Sequence, residues 1–369
     1  MKYYATKLDH KGTLAVEDML LVKGAPTTAG SRILEGFKPL FSAEAVTRLE
    51  AKGYTVAGKT HVGEFGLDLC GEFSYYAEKD DTVKGAAALS GVNFLKPTYG
   101  TVSRYGVVSC AASGEQVGVY AATTDKVAEM MGIIAGHDEK DGTSLKAESY
   151  EYVTDVPVTG KRVCVVKELL DKADEDTRAK VLAYAENLRG AGVTVEEIST
   201  DLFELAATAW QILMTAETCN NVSRYDGVKY GFRAKEYRNI DELYVNTRTE
   251  GFNFLTKAVI LYGSDTLSKN RYEQCYGKSL KVRRVIAERF EELLKQYDAV
   301  LMPACSQTAY AAYDIADAFG KVFAEGTFTA LANLVGTPAL VSGGVQLMGK
   351  HFDESGLLSL ANAVERMGK

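Results

Sequence analysis

Lys161-Arg162-Val163-Cys164-Val165-Val166, then Asp174 to Arg189, then Val193-Thr194-Val195-Glu196-Glu197-Ile198, is the stretch that decides the fold. The first run is short, apolar and rich in β-branched residues, as a buried strand requires. The middle segment opens with acids, which suit the positive end of a helix, and places Val181, Leu182, Ala185 and Leu188 on one face. The third run returns as a strand. A strand, a helix and a strand in succession predict parallel pairing with a right-handed crossover.

The same alternation extends in both directions. On the N-terminal side, Ser42 is the expected cap of a short helix carrying Ala45, Val46 and Leu49, which Gly53 ends. Tyr54 to Ala57 then reads as a buried strand. On the C-terminal side, Lys281 to Gln296 carries Val282, Val285, Ile286, Phe290, Leu293 and Leu294 at helical spacing. Asp298 to Met302 follows as a strand stopped by Pro303. No repeat, low-complexity tract or Pro/Ser-rich linker interrupts the pattern. The expectation is an α/β protein, one domain over residues 1–369, with a mixed sheet, helices on both its faces, and the first and last of these strands in that same sheet.

Composition narrows the function classes. The 369 residues are 46% hydrophobic and 25% charged, ordinary for a globular chain. The formal net charge of −7 and the lack of a basic stripe argue against direct nucleic-acid binding. No apolar run is long enough to cross a bilayer, and Met1 to Lys11 lacks a signal-peptide core, so no membrane partner and a cytoplasmic setting are expected. Cys70, Cys110, Cys164, Cys219, Cys275 and Cys305 are scattered without metal-ligand spacing, as reduced core thiols would be.

Several motifs carry a resemblance. They include Lys23-Gly24-Ala25-Pro26-Thr27-Thr28-Ala29-Gly30-Ser31, Gly58-Lys59-Thr60-His61-Val62-Gly63-Glu64-Phe65, and Leu95-Lys96-Pro97-Thr98-Tyr99-Gly100-Thr101-Val102-Ser103-Arg104-Tyr105-Gly106. Later come Ser223 to Gly231, Thr247 to Phe252 and Asn333-Leu334-Val335-Gly336-Thr337-Pro338. In this order they resemble the amidase-signature family, and most of all the A subunits of glutamyl-tRNA(Gln) amidotransferases. The resemblance implies amide hydrolysis by a Ser-cis-Ser-Lys triad, in which a neutral lysine acts through a bridging serine on a nucleophilic serine. Glycine-rich loops would turn backbone N–H groups toward the oxyanion.

The residues that chemistry needs are altered here. The segment resembling the lysine motif reads Gly12-Thr13-Leu14-Ala15-Val16-Glu17-Asp18-Met19, so Glu17 stands in the lysine's place. Only 15 residues separate Phe65 from Asp81; they hold no glycine pair, and their one serine is Ser74. The nucleophile segment reads Asp81-Thr82-Val83-Lys84-Gly85-Ala86-Ala87-Ala88-Leu89-Ser90-Gly91, without the family's Gly-Gly-Ser. The loop region is therefore expected to be shortened around residues 66–90, with no catalytic residue assigned.

Arg283 matches, by resemblance, the arginine that pairs with a substrate carboxylate; it also suits a residue at the margin of its helix's apolar stripe. Lys84, Ser109 and Ser113 read as ordinary loop residues. His61 and the polar run His137 to Gly142 lack metal-site spacing. Neither a cofactor nor a metal is expected. The leading expectation is a non-catalytic homologue, a pseudoenzyme, with a structural, regulatory or partner-binding role. Its partners would be amidotransferase-type subunits, a second copy of itself, or a small amino-acid or amide ligand. The alternatives are an amidase or glutaminase with a rebuilt centre, and an amino-acid sensor.

Overall fold

The structure, a computed structural model, describes residues 4–8, 11–69, 92–146, 150–307 and 315–367. Its first part contains β1 (Tyr4–Lys7), β2 (Leu14–Glu17), helix α1 (Glu44–Ala51) and β3 (Val56–Thr60). Then come β4 (Asn93–Lys96), β5 (Val119–Ala121) and α2 (Thr124–Ile134), followed by β6 (Arg162–Val166), α3 (Lys167–Lys172), α4 (Glu175–Gly190) and β7 (Thr194–Ile198). A helical stretch follows with α5 (Leu202–Asn221), α6 (Ile240–Gly251), α7 (Phe254–Thr266) and α8 (Lys278–Gln296). The chain continues through β8 (Ala299–Pro303), α9 (Ile315–Val335), β9 (Ala339–Ser342), β10 (Val345–Gly349) and α10 (Glu354–Met367).

Seven strands form a mixed sheet in the order β5-β4-β9-β10-β8-β6-β7. β6 pairs parallel to both β7 and β8, as the strand–helix–strand pattern predicts. β9 and β10 form an antiparallel hairpin closed by Gly343 and Gly344, both at positive φ. A two-residue turn of that hand needs positive φ at both positions, which glycine adopts without strain.

Alternation along the strands builds a core on each face of this sheet. Val163 and Val165 of β6, Leu301 of β8 and Leu347 of β10 pack with α1, α2, α4 and α10. Cys164 and Val166, Val300 and Met302, and Met348 point the other way, into a cluster with α5, α8 and α9. Helices on both faces of a mixed sheet are thus what the structure shows.

Three local expectations need correction. The strand expected at Tyr54 to Ala57 starts later, at Val56, and lies outside the large sheet. It is the middle of a separate three-stranded sheet of order β1-β3-β2, pairing parallel with Leu14–Glu17. The cap of α1 is Ala43 without a side-chain hydrogen bond; Ser42 Oγ instead accepts from Lys23 N at 3.0 Å. Leu182 and Val285, placed on apolar stripes from spacing, are exposed at the stripes' edges. Asp174 caps α4 by accepting from Thr177 N at 2.8 Å, so the acids there have a specific job.

Candidate functional site

β2 delivers Glu17, the residue that the motif resemblance aligns with the lysine, to the edge of the small sheet. Its register pairs Glu17 with Thr60 and Val16 with Lys59. The next residue, Asp18, is tied down firmly. Its Oδ1 lies 2.8 Å from Lys59 Nζ, and its Oδ2 accepts from Thr28 N at 2.9 Å and Thr28 Oγ1 at 2.6 Å. Lys59 Nζ also donates to Thr27 Oγ1 at 2.5 Å. The lysine is fully buried; desolvation lowers its pKa, and the Asp18 charge opposes that shift. This pair fixes the chain just past Glu17, after which Met19 and Leu21 dock against residues 106–108 through backbone hydrogen bonds.

Two buried carboxylates stand nearby. Glu64 accepts from Ser31 Oγ at 2.5 Å, from Asn253 N at 2.9 Å and from Thr256 Oγ1. It thereby satisfies N–H and hydroxyl donors at the start of α7, where a carboxylate is favoured. Burial still raises its pKa, the hydrogen bonds opposing that. Next to it Phe65 adopts φ 56°, strained for a side chain of that size, and stacks on Tyr225 at 5.2 Å between ring centroids. Glu115 sits inside its own loop, accepting from Cys110 N, from Ala111 N at 2.5 Å and from Ser109 Oγ at 2.8 Å. Its pKa too is raised by burial.

These elements surround a cavity of about 360 Å³. β2 contributes Val16 and Glu17, α1 contributes Val46 and Leu49, and α2 contributes Met130 and Ile134. Arg104, Glu115 and Gln116 supply polar wall on one side. A second cavity of about 160 Å³ includes Ser109, Lys140 and Asp141, and shares Arg104, Val107 and Glu115 with the first. Arg104 is held by Thr143 Oγ1 at 2.9 and 3.2 Å, by Ala112 O, and by Asp141 at 3.6 Å.

Arg283 lies elsewhere. It projects from α8, and its Nε donates to Leu334 O at 2.6 Å. Its two terminal nitrogens reach Ser113 Oγ at 3.4 Å and Ser113 O at 3.3 Å. Ser113 in turn donates to Glu217 through both its N–H, at 3.0 Å, and its hydroxyl. Arg283 therefore ties α8 to the end of α9 and to the 111–114 turn, and it is not in the wall of either cavity. Glu17 and Arg283 are not brought together around one cavity.

Ser74, Lys84, Cys70 and the segment Asp81 to Gly91 lie outside the described residues. His61 is exposed, and Asp138 accepts from Ser103 Oγ at 2.6 Å within the loop that follows α2. Among the described residues no group of three or more His, Cys, Asp or Glu side chains could hold a metal ion, and no helix is long and apolar enough to cross a membrane. Sequence reasoning missed the Asp18–Lys59 pair, Glu115 and Gln116. The one available signal was a lysine, Lys59, inside an otherwise apolar strand, which implies a buried partner.

The Amidase family model matches residues 13–83 and 81–358. The A subunit of glutamyl-tRNA(Gln) amidotransferase from Lactobacillus johnsonii is 31% identical over 96% of this chain and 84% of its own length. The protein of the same name from Lachnoclostridium phytofermentans is 32% identical over 96% and 82%. Both alignments run past 400 positions, 402 and 410, which exceeds the 369 residues of this chain, so the relatives hold residues that it lacks. The crystal structure of the A subunit of glutamyl-tRNA(Gln) amidotransferase from Thermotoga maritima superposes with a TM-score of 0.76 at 25% identity, covering 99% of this chain and 87% of that one. The sheet, the ordered motifs and these likenesses along nearly the whole sequence agree: the chain belongs to the amidase family.

Proposed function

We propose that this chain is an amidotransferase A-subunit-like protein that has given up the family's amide hydrolysis and serves through binding. The observation that carries this reading is Glu17 at the end of β2, where the family motif calls for the basic lysine. A carboxylate is shorter than a lysine and far less basic than a neutral amine, so it is a poor replacement for the base that activates a serine through a bridge. Lys59, on the strand paired with β2, is committed to Asp18 and Thr27 in the interior. The length deficit against the relatives fits a shortened catalytic loop region.

A rebuilt centre finds little support at the serine–carboxylate contact beside the cavities. Ser109 Oγ donates to Glu115, but the adjacent N–H groups of Cys110 and Ala111 also point at that carboxylate. They are consumed where an oxyanion hole would need them. Arg283 holds backbone and Ser113 oxygens, so pairing with an amino-acid carboxylate would require it to exchange those contacts. The relatives are by name one component of an amidotransferase, which favours a protein partner of that type; a cytoplasmic setting and a single domain across residues 1–369 belong to the same proposal.

A fluorophosphonate probe tests the loss directly. It forms a P–O bond with an activated serine and releases fluoride. The proposal expects no labelling at stoichiometry above that of the heat-denatured protein. Stoichiometric labelling of one serine overturns it.

A further inference from the structure

We propose that the 360 Å³ cavity is a binding site for a neutral, mainly apolar small molecule of about two-ring size that carries one hydrogen-bond acceptor. This does not rest on the loss of hydrolysis, because binding is read without turnover. The volume falls within the range of small-molecule pockets and is more than twice the roughly 150 Å³ that accommodates benzene. Val16, Val46, Leu49, Val119, Met130 and Ile134 give it walls from two sheets and two helices.

Gln116 supplies the specificity. Its Oε1 accepts from Lys96 Nζ at 3.0 Å, which fixes the amide's orientation. Gln116 is one of the lining residues, and its Nε2 is buried without a hydrogen-bond partner. A buried donor left unpaired is unfavourable, and an acceptor on a bound molecule relieves it. The cations of the wall are already engaged, Arg104 with Asp141 and Thr143, and Lys126 with Glu129 and Tyr54. Glu17 and Glu115 add acidic groups to the same wall. Among the described residues a carboxylate ligand therefore gains no open cation and meets two acids, whereas a ketone or amide oxygen offers the unpartnered N–H of Gln116 an acceptor once the side chain shifts toward the cavity.

The test is displacement of the fluorescent probe N-phenyl-1-naphthylamine from the full chain by naphthalene and by 2-acetonaphthone. Saturable one-to-one probe binding is expected, with the ketone displacing it about fivefold better than the hydrocarbon. Gln116→Glu keeps the Lys96 contact but removes the donor, and should erase that preference. Val46→Phe and, from the other lining helix, Met130→Trp should each reduce probe binding at least tenfold. Absence of saturable binding, equal displacement by ketone and hydrocarbon in the wild type, or undiminished binding in a folded cavity-filled variant overturns the proposal. Should both filled variants fail to fold, the ketone preference and its loss in Gln116→Glu decide alone.

Discussion

Replacing Lys59 by methionine removes one charge from the interior and keeps most of the side chain's bulk. The lysine is fully buried in the middle strand of the small sheet, and its partner Asp18 is 2% exposed. After the change Asp18 keeps the two Thr28 donors on Oδ2, while Oδ1 faces the interior with its cation gone. Breaking one side of a buried pair costs about 3–5 kcal/mol. Because burial already lowers the Lys59 pKa, part of the pair's attraction offsets desolvation, and the lower end, about 3 kcal/mol, is the expectation. At roughly 2 °C per kcal/mol for a large chain, Tm should fall by about 6 °C. Circular dichroism melts and urea titration measure this. Asp18→Asn combined with Lys59→Met should recover part of the loss, since neither charge then remains unpaired. If Lys59→Met lies within about 1 kcal/mol of the wild type, the pair does not anchor the turn beside Glu17 and the reasoning fails.

Other perturbations follow from the same geometry. Glu115 has a raised pKa in the folded state, so the folded chain binds this proton more tightly than the unfolded chain. Stability from that group is complete below its ordinary pKa and is lost as pH rises through the folded value; Glu115→Gln should therefore flatten the decline in Tm above about pH 4.5, and an unchanged pH profile would refute this. At Gly114, an added Cβ would lie 2.2 Å from Trp210 Cη2, so Gly114→Ala should cost about 1–3 kcal/mol by urea titration. Arg283→Ala leaves Leu334 O and Ser113 without their cationic donor and should cost about 1.5–3 kcal/mol; a neutral outcome would count against its tethering role and favour contact with a ligand instead.

The large sheet was legible because β6 carries its own two-faced pattern: Val163 and Val165 serve one core, Cys164 and Val166 the other. The helix after Asp174 was legible because its cap and its apolar spacing agree. The small sheet was not. Four residues of Leu14–Glu17 are too few to display a period, and their partner strand lies some 40 residues away in sequence. At the site, Glu17 was visible through its motif, whereas the Asp18–Lys59 pair depends on a parallel register that no local pattern encodes. The cavity was invisible for a further reason: a void is set by how several elements fail to fill the space between them.

Ammonia release is the measurement that bears most directly on the central claim. Purified chain is incubated with glutamine, asparagine and simple amides, beside the Glu17→Lys variant and a buffer blank. No release above the blank is expected from either protein, because under the proposed loss a lysine alone would restore neither the bridging serine nor the donors that stabilise an oxyanion. Glutaminase turnover that survives rigorous purification and vanishes when one serine is replaced would contradict it.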